Sequence, residues 1–251
     1  MRNFNHKIDL GNGKWAYVQE KHLIPHARRM TNLIIERARF PKFYFHFHSG
    51  GHVMASKLHS ENSFFSHIDL ERFFYHVSKN KIVRSMKKVG FGFREAEGFA
   101  VVSTVRSEKG FTLPFGFVQS PALAALVLDQ SQLGKTLREI APNVQTTLYG
   151  DDILLSSKNE KTLREASDNV LLACQKANFP TNQEKTKVVQ TKITAFNINI
   201  SRNCLEITEE RMNDFYVNIR HLGNCPTTQG ILGYVSRVNQ RQAEDLQKLL
   251  L

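Results

Sequence analysis

Cysteine is scarce in this chain. Cys174, Cys204 and Cys225 are the only three in 251 residues, and no two form a CxxC pair. An odd number at scattered positions argues against a disulfide framework and points to reduced thiols in the cytosol. Acidic residues are also short. Asp and Glu total 23 against 34 Lys and Arg, a formal net charge of +11. That surplus attracts polyanions. Nucleic acid is the first candidate and an anionic membrane surface is the rival. Long apolar runs are missing, so no segment is expected to span a bilayer. The first 25 residues lack the apolar core of a secretory leader. Internal repeats, low-complexity tracts and an evident linker are absent too, so any subdomains are expected to interleave around one core. Together these absences predict a cytoplasmic protein with no membrane partner.

What is present is apolar and aromatic. Hydrophobic residues make up 41% and aromatics 10%, led by 18 Phe. That composition belongs to a globular chain with a sizeable core, in one or two domains. Its focus is Thr146–Ser156, TTLYGDDILLS. Thr146–Tyr149 and Ile153–Leu155 suit strands, and Gly150-Asp151-Asp152 suits the turn between them. The predicted hairpin carries adjacent carboxylates at its tip. Two like charges there need a cation, and an all-oxygen site suits Mg²⁺. Asp-Asp alone is more often a solvated turn, so the rest of the chain must decide.

Asn12-Gly13 reads as a turn, with Lys14–Val18 a strand returning from it. Pro25 opens a helix with an apolar stripe of Ala27, Met30, Leu33/Ile34 and Ala38. Arg28 and Arg29 lie on its other face, either solvated or touching phosphates. Residues 42–57 alternate, which would put His46 and His48 on one face of a strand. Zinc among His46, His48, His52 and His59 is disfavoured, because cysteine partners and a second close ligand pair are missing. Phe64–Leu70 reads as a strand buried on both faces, in which Asp69 needs a partner or a metal. A helix is predicted over Phe73–Lys88, and Glu95–Arg106 reads as a helix or a strand pair.

Further on, Ser120-Pro121 reads as an N-cap followed by the first helical residue. The stripe behind it is Leu123, Leu126, Val127, Leu133 and Leu137. Gly116 before it allows backbone to approach a ligand closely. Ser157-x-x-Glu160 reads as a capping box for a helix striped by Leu163, Ala166, Val170 and Ala173/Cys174. Lys185–Val189 and Ala195–Ile200 suit strands. This order predicts an α+β fold, an antiparallel sheet backed by helices on one face.

Several stretches, in this order, resemble the reverse transcriptase family. Ile68-Asp69-Leu70-x-x-Phe73-Phe74 resembles its first catalytic motif. Leu113-Pro114-Phe115-Gly116, ending in Ser120-Pro121, resembles the template–nucleotide loop. Tyr149-Gly150-Asp151-Asp152 resembles the YxDD box. Pro180–Thr186 resembles the later lysine motif. Asn197–Ile200 resembles the primer-grip hairpin in position, and Gln229–Asn239 resembles the thumb helix of group II intron and retron enzymes. The match spans roughly residues 45–240, and motifs in order and spacing are specific where one alone is not. Phe115 departs from the family's usual Gln. The arginine expected after Gly-Lys in the fingers is not found near Gly13-Lys14.

The resemblance implies a right-hand polymerase palm with abbreviated fingers and a small helical thumb. It places fingers at 1–60, palm at 61–78 and 111–203, a fingers insertion at 79–110 and thumb at 204–251. It implies two Mg²⁺ ions, with Mn²⁺ as a substitute, held by Asp69, Asp151, Asp152 and the Leu70 carbonyl. Asp152 is either a direct ligand or a carboxylate acting from behind the ligands. Lys185 would protonate or screen the leaving pyrophosphate. Phe74, Phe115, Gly116, Ser120 and Tyr149 would line the nucleotide. Arg237 and Arg241, like Arg28 and Arg29, would contact nucleic-acid phosphates.

The implied activity is RNA-directed DNA synthesis from dNTPs on an RNA template. The pattern is similar to bacterial enzymes of the retron, abortive-infection or defence-associated type. A structured non-coding RNA template in antiphage defence follows, with a homo-oligomer or a defence-system partner protein left open. Other classes also remain open: untemplated or protein-primed DNA synthesis, an RNA-dependent RNA polymerase and an RNA-binding scaffold. RNA polymerases with a GDD tripeptide would place a polar residue where Phe74 stands.

Overall fold

The computed structural model describes residues 3–11 and 13–250. In chain order it forms β1 (Phe4–Asp9), β2 (Trp15–Gln19), α1 (Ile24–Ala38), α2 (Gly51–His59), β3 (Phe64–Asp69), α3 (Lys79–Lys88), α4 (Phe93–Ser103), β4 (Val105–Ser107), β5 (Gly110–Thr112), α5 (Ser120–Asp129) and α6 (Gln132–Ile140). Then come β6 (Gln145–Tyr149), β7 (Asp152–Ser157), α7 (Glu160–Lys176), β8 (Lys187–Gln190), β9 (Lys192–Ala195), β10 (Ile198–Ser201), β11 (Cys204–Ile207), α8 (Glu209–Leu222), α9 (Pro226–Val238) and α10 (Gln240–Gln247). These elements fall into two compact units. One comprises Met1–Lys42, Leu70–Glu139 and Val170–Thr181, and the other Phe43–Asp69, Ile140–Asn169 and Asn182–Leu251.

In the second unit a four-stranded antiparallel sheet runs β6-β7-β3-β8. β3 lies inside it, so Phe65–Asp69 are all buried. β9, β10 and β11 form a second antiparallel sheet. Its Ile193, Ile198, Ile200 and Ile207 share one apolar core with Phe65, Leu154, Phe215, Val235 and Leu246. Alternation along β10 gives this core Ile198 and Ile200, and the helical spacing of Met212, Phe215 and Ile219 adds α8.

A histidine stitches this unit internally. Buried His59 on α2 bonds Ser156 Oγ through Nδ1 at 2.7 Å and Thr147 Oγ1 through Nε2 at 2.8 Å. Burial pushes its pKa down to about 3. Burial likewise lowers His46 to about 4. Both folded values lie below the unfolded reference of about 6.5. The unfolded chain therefore binds more protons below that value, and stability falls as pH drops from about 6.5 toward 4. A thermal melt should lose several degrees over that range. His59→Asn should flatten the slope and cost about 1–3 kcal/mol at pH 7, because the two hydroxyls lose their partner.

In the first unit α5 packs with α1 and α3. Ala122–Asp129 is buried on every side, which an all-apolar run such as Ala122–Leu128 permits. β1 pairs with β2, and β4 pairs with β5.

Several expectations change. Phe4–Asp9 adds a strand, β1, with which the predicted strand after Gly13 pairs. Asn12, of the predicted Asn12-Gly13 turn, lies outside the described residues. His46 and His48 do not share a strand, because Phe45–Phe47 is a 3₁₀ turn followed by α2. Phe73–Lys88 is two pieces, a 3₁₀ turn at Phe73–His76 and α3, since Ser78 Oγ caps α3 at Lys81 N. Glu95–Arg106 resolves into most of α4 and the start of β4. Gln119, rather than Ser120, is the N-cap of α5. Asn159, rather than Ser157, caps α7 by accepting from Thr162 N. Ala195–Ile200 is the β9–β10 hairpin, with Phe196 and Asn197 both left-handed at φ 56° and 59°. Two positive φ values are what a tight two-residue hairpin requires.

Candidate active site

The β6–β7 register pairs Tyr149 with Asp152 and leaves Gly150 and Asp151 at the tip. Gly150 has φ +66°, a conformation that glycine adopts without strain. Asp152 is also the register partner of Asp69 at the end of β3. The turn before β8 is tied to that end, because the Asp69 carbonyl accepts from Asn182 N at 2.9 Å. Asn182 Oδ1 in turn accepts from Glu184 N and Lys185 N, and Lys185 Nζ lies 3.8 Å from Asp69 Oδ2. Asp69, Asp151, Asp152 and Lys185 therefore line one cleft of about 800 Å³, with His67, Lys187 and the β9–β10 turn.

The carboxylates repel one another. Asp151 is pushed up to about 6, first by burial, then by the charge of Asp152 and less by Asp69, with Lys185 opposing. Asp152 has a neighbour that sequence reading did not single out. His67 Nε2 lies 2.6 Å from Asp152 Oδ1. Strand period 2 was the available signal, since His67 and Asp69 share a face of β3.

Among the described residues, no three His, Cys, Asp or Glu side chains are grouped as a closed metal site. The donor set nevertheless suits a hard divalent cation. It is all oxygen, and its surplus negative charge already lifts Asp151.

The other predicted residues fall as follows. Leu70 is buried and bridges Thr181. Tyr149 packs edge-on against His52 and Phe196, at 5.8 and 5.5 Å between ring centroids. In the first unit, Phe74 lies against Phe115 with ring centroids 4.8 Å apart, while Phe73 is buried against Phe179. Gly116 has φ +96°, and a Cβ there would meet the Tyr17 carbonyl at 2.5 Å. Its close approach is thus to β2. Ser120 is buried, and its hydroxyl donates to the Pro114 carbonyl, which fixes the loop from behind. Arg28 and Arg29 on α1 are exposed, as are Arg237 on α9 and Arg241 on α10.

The first unit also holds a groove of about 440 Å³ lined by Lys7, Arg72, Arg106, Lys109, Trp15 and Tyr75. Sequence reading passed over these cations. They are scattered along the chain, and the fold brings them together from the β1–β2 hairpin, the β4–β5 hairpin and Arg72 before the Phe73–His76 turn.

The family model for reverse transcriptase (RNA-dependent DNA polymerase) matches residues 20–219. The chain belongs to that family. Solved structures of similar fold include the telomerase of Candida albicans in complex with a fragment of telomeric RNA, at 11% identity and TM-score 0.59. That likeness covers 91% of this chain and 47% of the telomerase. The foamy viral protease–reverse transcriptase in complex with double-stranded DNA is 16% identical with TM-score 0.51, over 97% of this chain and 43% of the viral protein. This reverse transcriptase-family chain thus spans less than half the length of either structure. The shared fold is the α+β polymerase palm, with antiparallel sheets and mixed helices. A comparison with curated proteins gives no match.

Proposed function

We propose that this chain is an RNA-directed DNA polymerase, a nucleotidyltransferase whose chemistry is carried by Asp69 and Asp151. The observation that supports the reading most is the Asp69–Asp152 register, which brings the β3 aspartate to the Asp-Asp turn of the YGDD hairpin. Phosphoryl transfer needs positioning and charge neutralisation more than covalent help. Asp69 and Asp151 would hold Mg²⁺, which lowers the pKa of the primer hydroxyl and neutralises the leaving pyrophosphate. The family resemblance would add the Leu70 carbonyl as a further oxygen ligand. Lys185, tethered near Asp69, screens or protonates the departing pyrophosphate. Phe74 and Phe115, packed against each other in the first unit, would line the nucleotide. The Lys7, Arg72, Arg106 and Lys109 groove, which Gly13 and Glu108 also line, would supply phosphate-binding charge in place of the arginine not found after Gly13-Lys14.

The β1–β2 and β4–β5 hairpins belong to the fingers in this reading, the four-stranded sheet to the palm and α8–α10 to the thumb. Arg237 and Arg241 on the thumb, with Arg28 and Arg29 on α1, contact duplex phosphates. The foamy viral enzyme has also been seen with an RNA/DNA hybrid. We assign the same partner class here, with dNTPs as substrate and a structured non-coding RNA as template. The motif pattern supports a cytoplasmic bacterial enzyme of the retron or defence-associated type. Among the described residues no helix is long and apolar enough to cross a membrane.

Sequencing the nucleic acid that copurifies from cells tests this reading. A discrete RNA with matching complementary DNA is expected, whereas homopolymeric or random DNA would replace it with untemplated synthesis. Binding must also be electrostatic. If about six phosphates are neutralised, affinity for an RNA/DNA hybrid should fall roughly a thousandfold between 50 and 200 mM salt. A flat salt titration would assign the +11 charge another purpose.

A further inference from the structure

His67 and Asp152 form a short pair inside the candidate site. Nε2 lies 2.6 Å from Oδ1, and His67 is 6% exposed. An ionised carboxylate only accepts, so Nε2 carries the proton and donates. Bonds of this charge-assisted kind are short and strong, and more so where water is scarce. The sheet register makes the pair. His67 and Asp69 share a face of β3, and Asp152 is directly opposite Asp69. His67 therefore stands diagonal to Asp152, within reach of a long side chain.

We propose that His67 is a positioning residue that ties Asp152 to β3 and keeps it out of the cation's inner coordination. Asp69 and Asp151 are then the carboxylates that face the cation. The inference rests on the reading above, in which this cleft holds a divalent ion. The bond holds the Asp152 oxygen that accepts from His67. Moving that oxygen to a cation would leave a buried imidazole N–H without a partner, which is costly. A site with fewer inner carboxylates leaves positions for water and substrate phosphate oxygens, as Mg²⁺ prefers.

The sign of one effect separates this arrangement from its rival. If Asp152 were an inner ligand oriented by His67, removing His67 would weaken metal binding by about 10–100-fold, as loss of such a partner usually does. If His67 holds Asp152 away, its removal frees a carboxylate and tightens binding. The probe is Mn²⁺, titrated against the full chain and followed by the electron paramagnetic resonance of the free ion. Thermal melts are recorded beside each titration.

His67→Phe is expected to bind Mn²⁺ severalfold more tightly than wild type. His67→Gln, whose amide can donate to the same oxygen, is expected to return to the wild-type value. In an Asp152→Asn background, His67→Phe should change nothing further. Asp151→Asn should weaken binding about tenfold more than Asp152→Asn does, since direct ligation exceeds a charge effect from behind the ligands. Equal losses in those two variants, or weaker binding by a folded His67→Phe, would overturn the proposal. Should His67→Phe fail to fold, the Asp151–Asp152 comparison decides alone. A wild-type chain that binds no Mn²⁺ would remove the metal reading and this inference with it. Binding that persists with the wrong order of effects would remove the inference only.

Discussion

Asp151→Asn is expected to abolish nucleotide incorporation while the fold survives. Asn keeps the shape of the side chain but loses the charge that a divalent cation requires. Metal-assisted charge neutralisation contributes several kcal/mol to a transition state of this type. At about 1.4 kcal/mol per factor of ten, the rate should drop on the order of a thousandfold or more. Stability should move the other way. Asp151 is held up at about 6 by burial and by its neighbours' charge, so its ionised form is unfavourable at neutral pH. Removing that charge should leave the melting temperature unchanged or raised. Primer extension beside a thermal melt checks both parts. Wild-type rates in a well-folded variant would remove Asp151 from the chemistry.

Phe74→Val is expected to admit ribonucleotides while deoxynucleotide incorporation continues. Phe74 follows Asp69 at the spacing where the family keeps an aromatic beneath the sugar. Its ring lies against Phe115, centroids 4.8 Å apart, so the wall it forms is apolar and braced. In the proposed reading, a ribose 2′-hydroxyl would meet that ring without a hydrogen-bond partner. The penalty is about 1–3 kcal/mol, or roughly ten- to a hundredfold in discrimination. Phe73→Val should behave differently. Phe73 is 3% exposed and packed edge-on against Phe179, so its loss leaves a cavity. That variant should melt lower and keep its sugar preference. Competition between each dNTP and the matching rNTP gives the answer. Equal use of both by the wild-type chain would contradict the gate.

What was legible in the sequence was legible for physical reasons. The YGDD hairpin announces itself because β-branched and apolar runs flank a Gly-Asp turn, and the register keeps Tyr149 opposite Asp152. The α1 stripe follows helical spacing, and Ala27, Met30 and Ile34 are buried as that spacing requires.

The misses have causes of the same kind. Residues 42–57 alternate like a strand, but Tyr44 makes only an isolated bridge to Leu148 before the chain turns into α2. Ser78 hides a helix start because no acidic residue follows in the first turn of α3 to complete the usual signature. Phe196 occupies a left-handed position that its type disfavours, and it is steadied there by Tyr149 and His52. Local pattern carries no trace of such tertiary support. The cationic groove of Lys7, Arg72, Arg106 and Lys109 was invisible for a similar reason, since tertiary folding and not spacing assembles it.

The most direct test of the central claim is to sequence the product made by the purified full chain on a heteropolymeric RNA template. The reaction would contain an annealed primer, Mg²⁺ and all four dNTPs. The account predicts DNA complementary to the template, made by wild type and not by Asp151→Asn. A homopolymeric or random product, an RNA product when rNTPs are added, or synthesis that survives Asp151→Asn would contradict it.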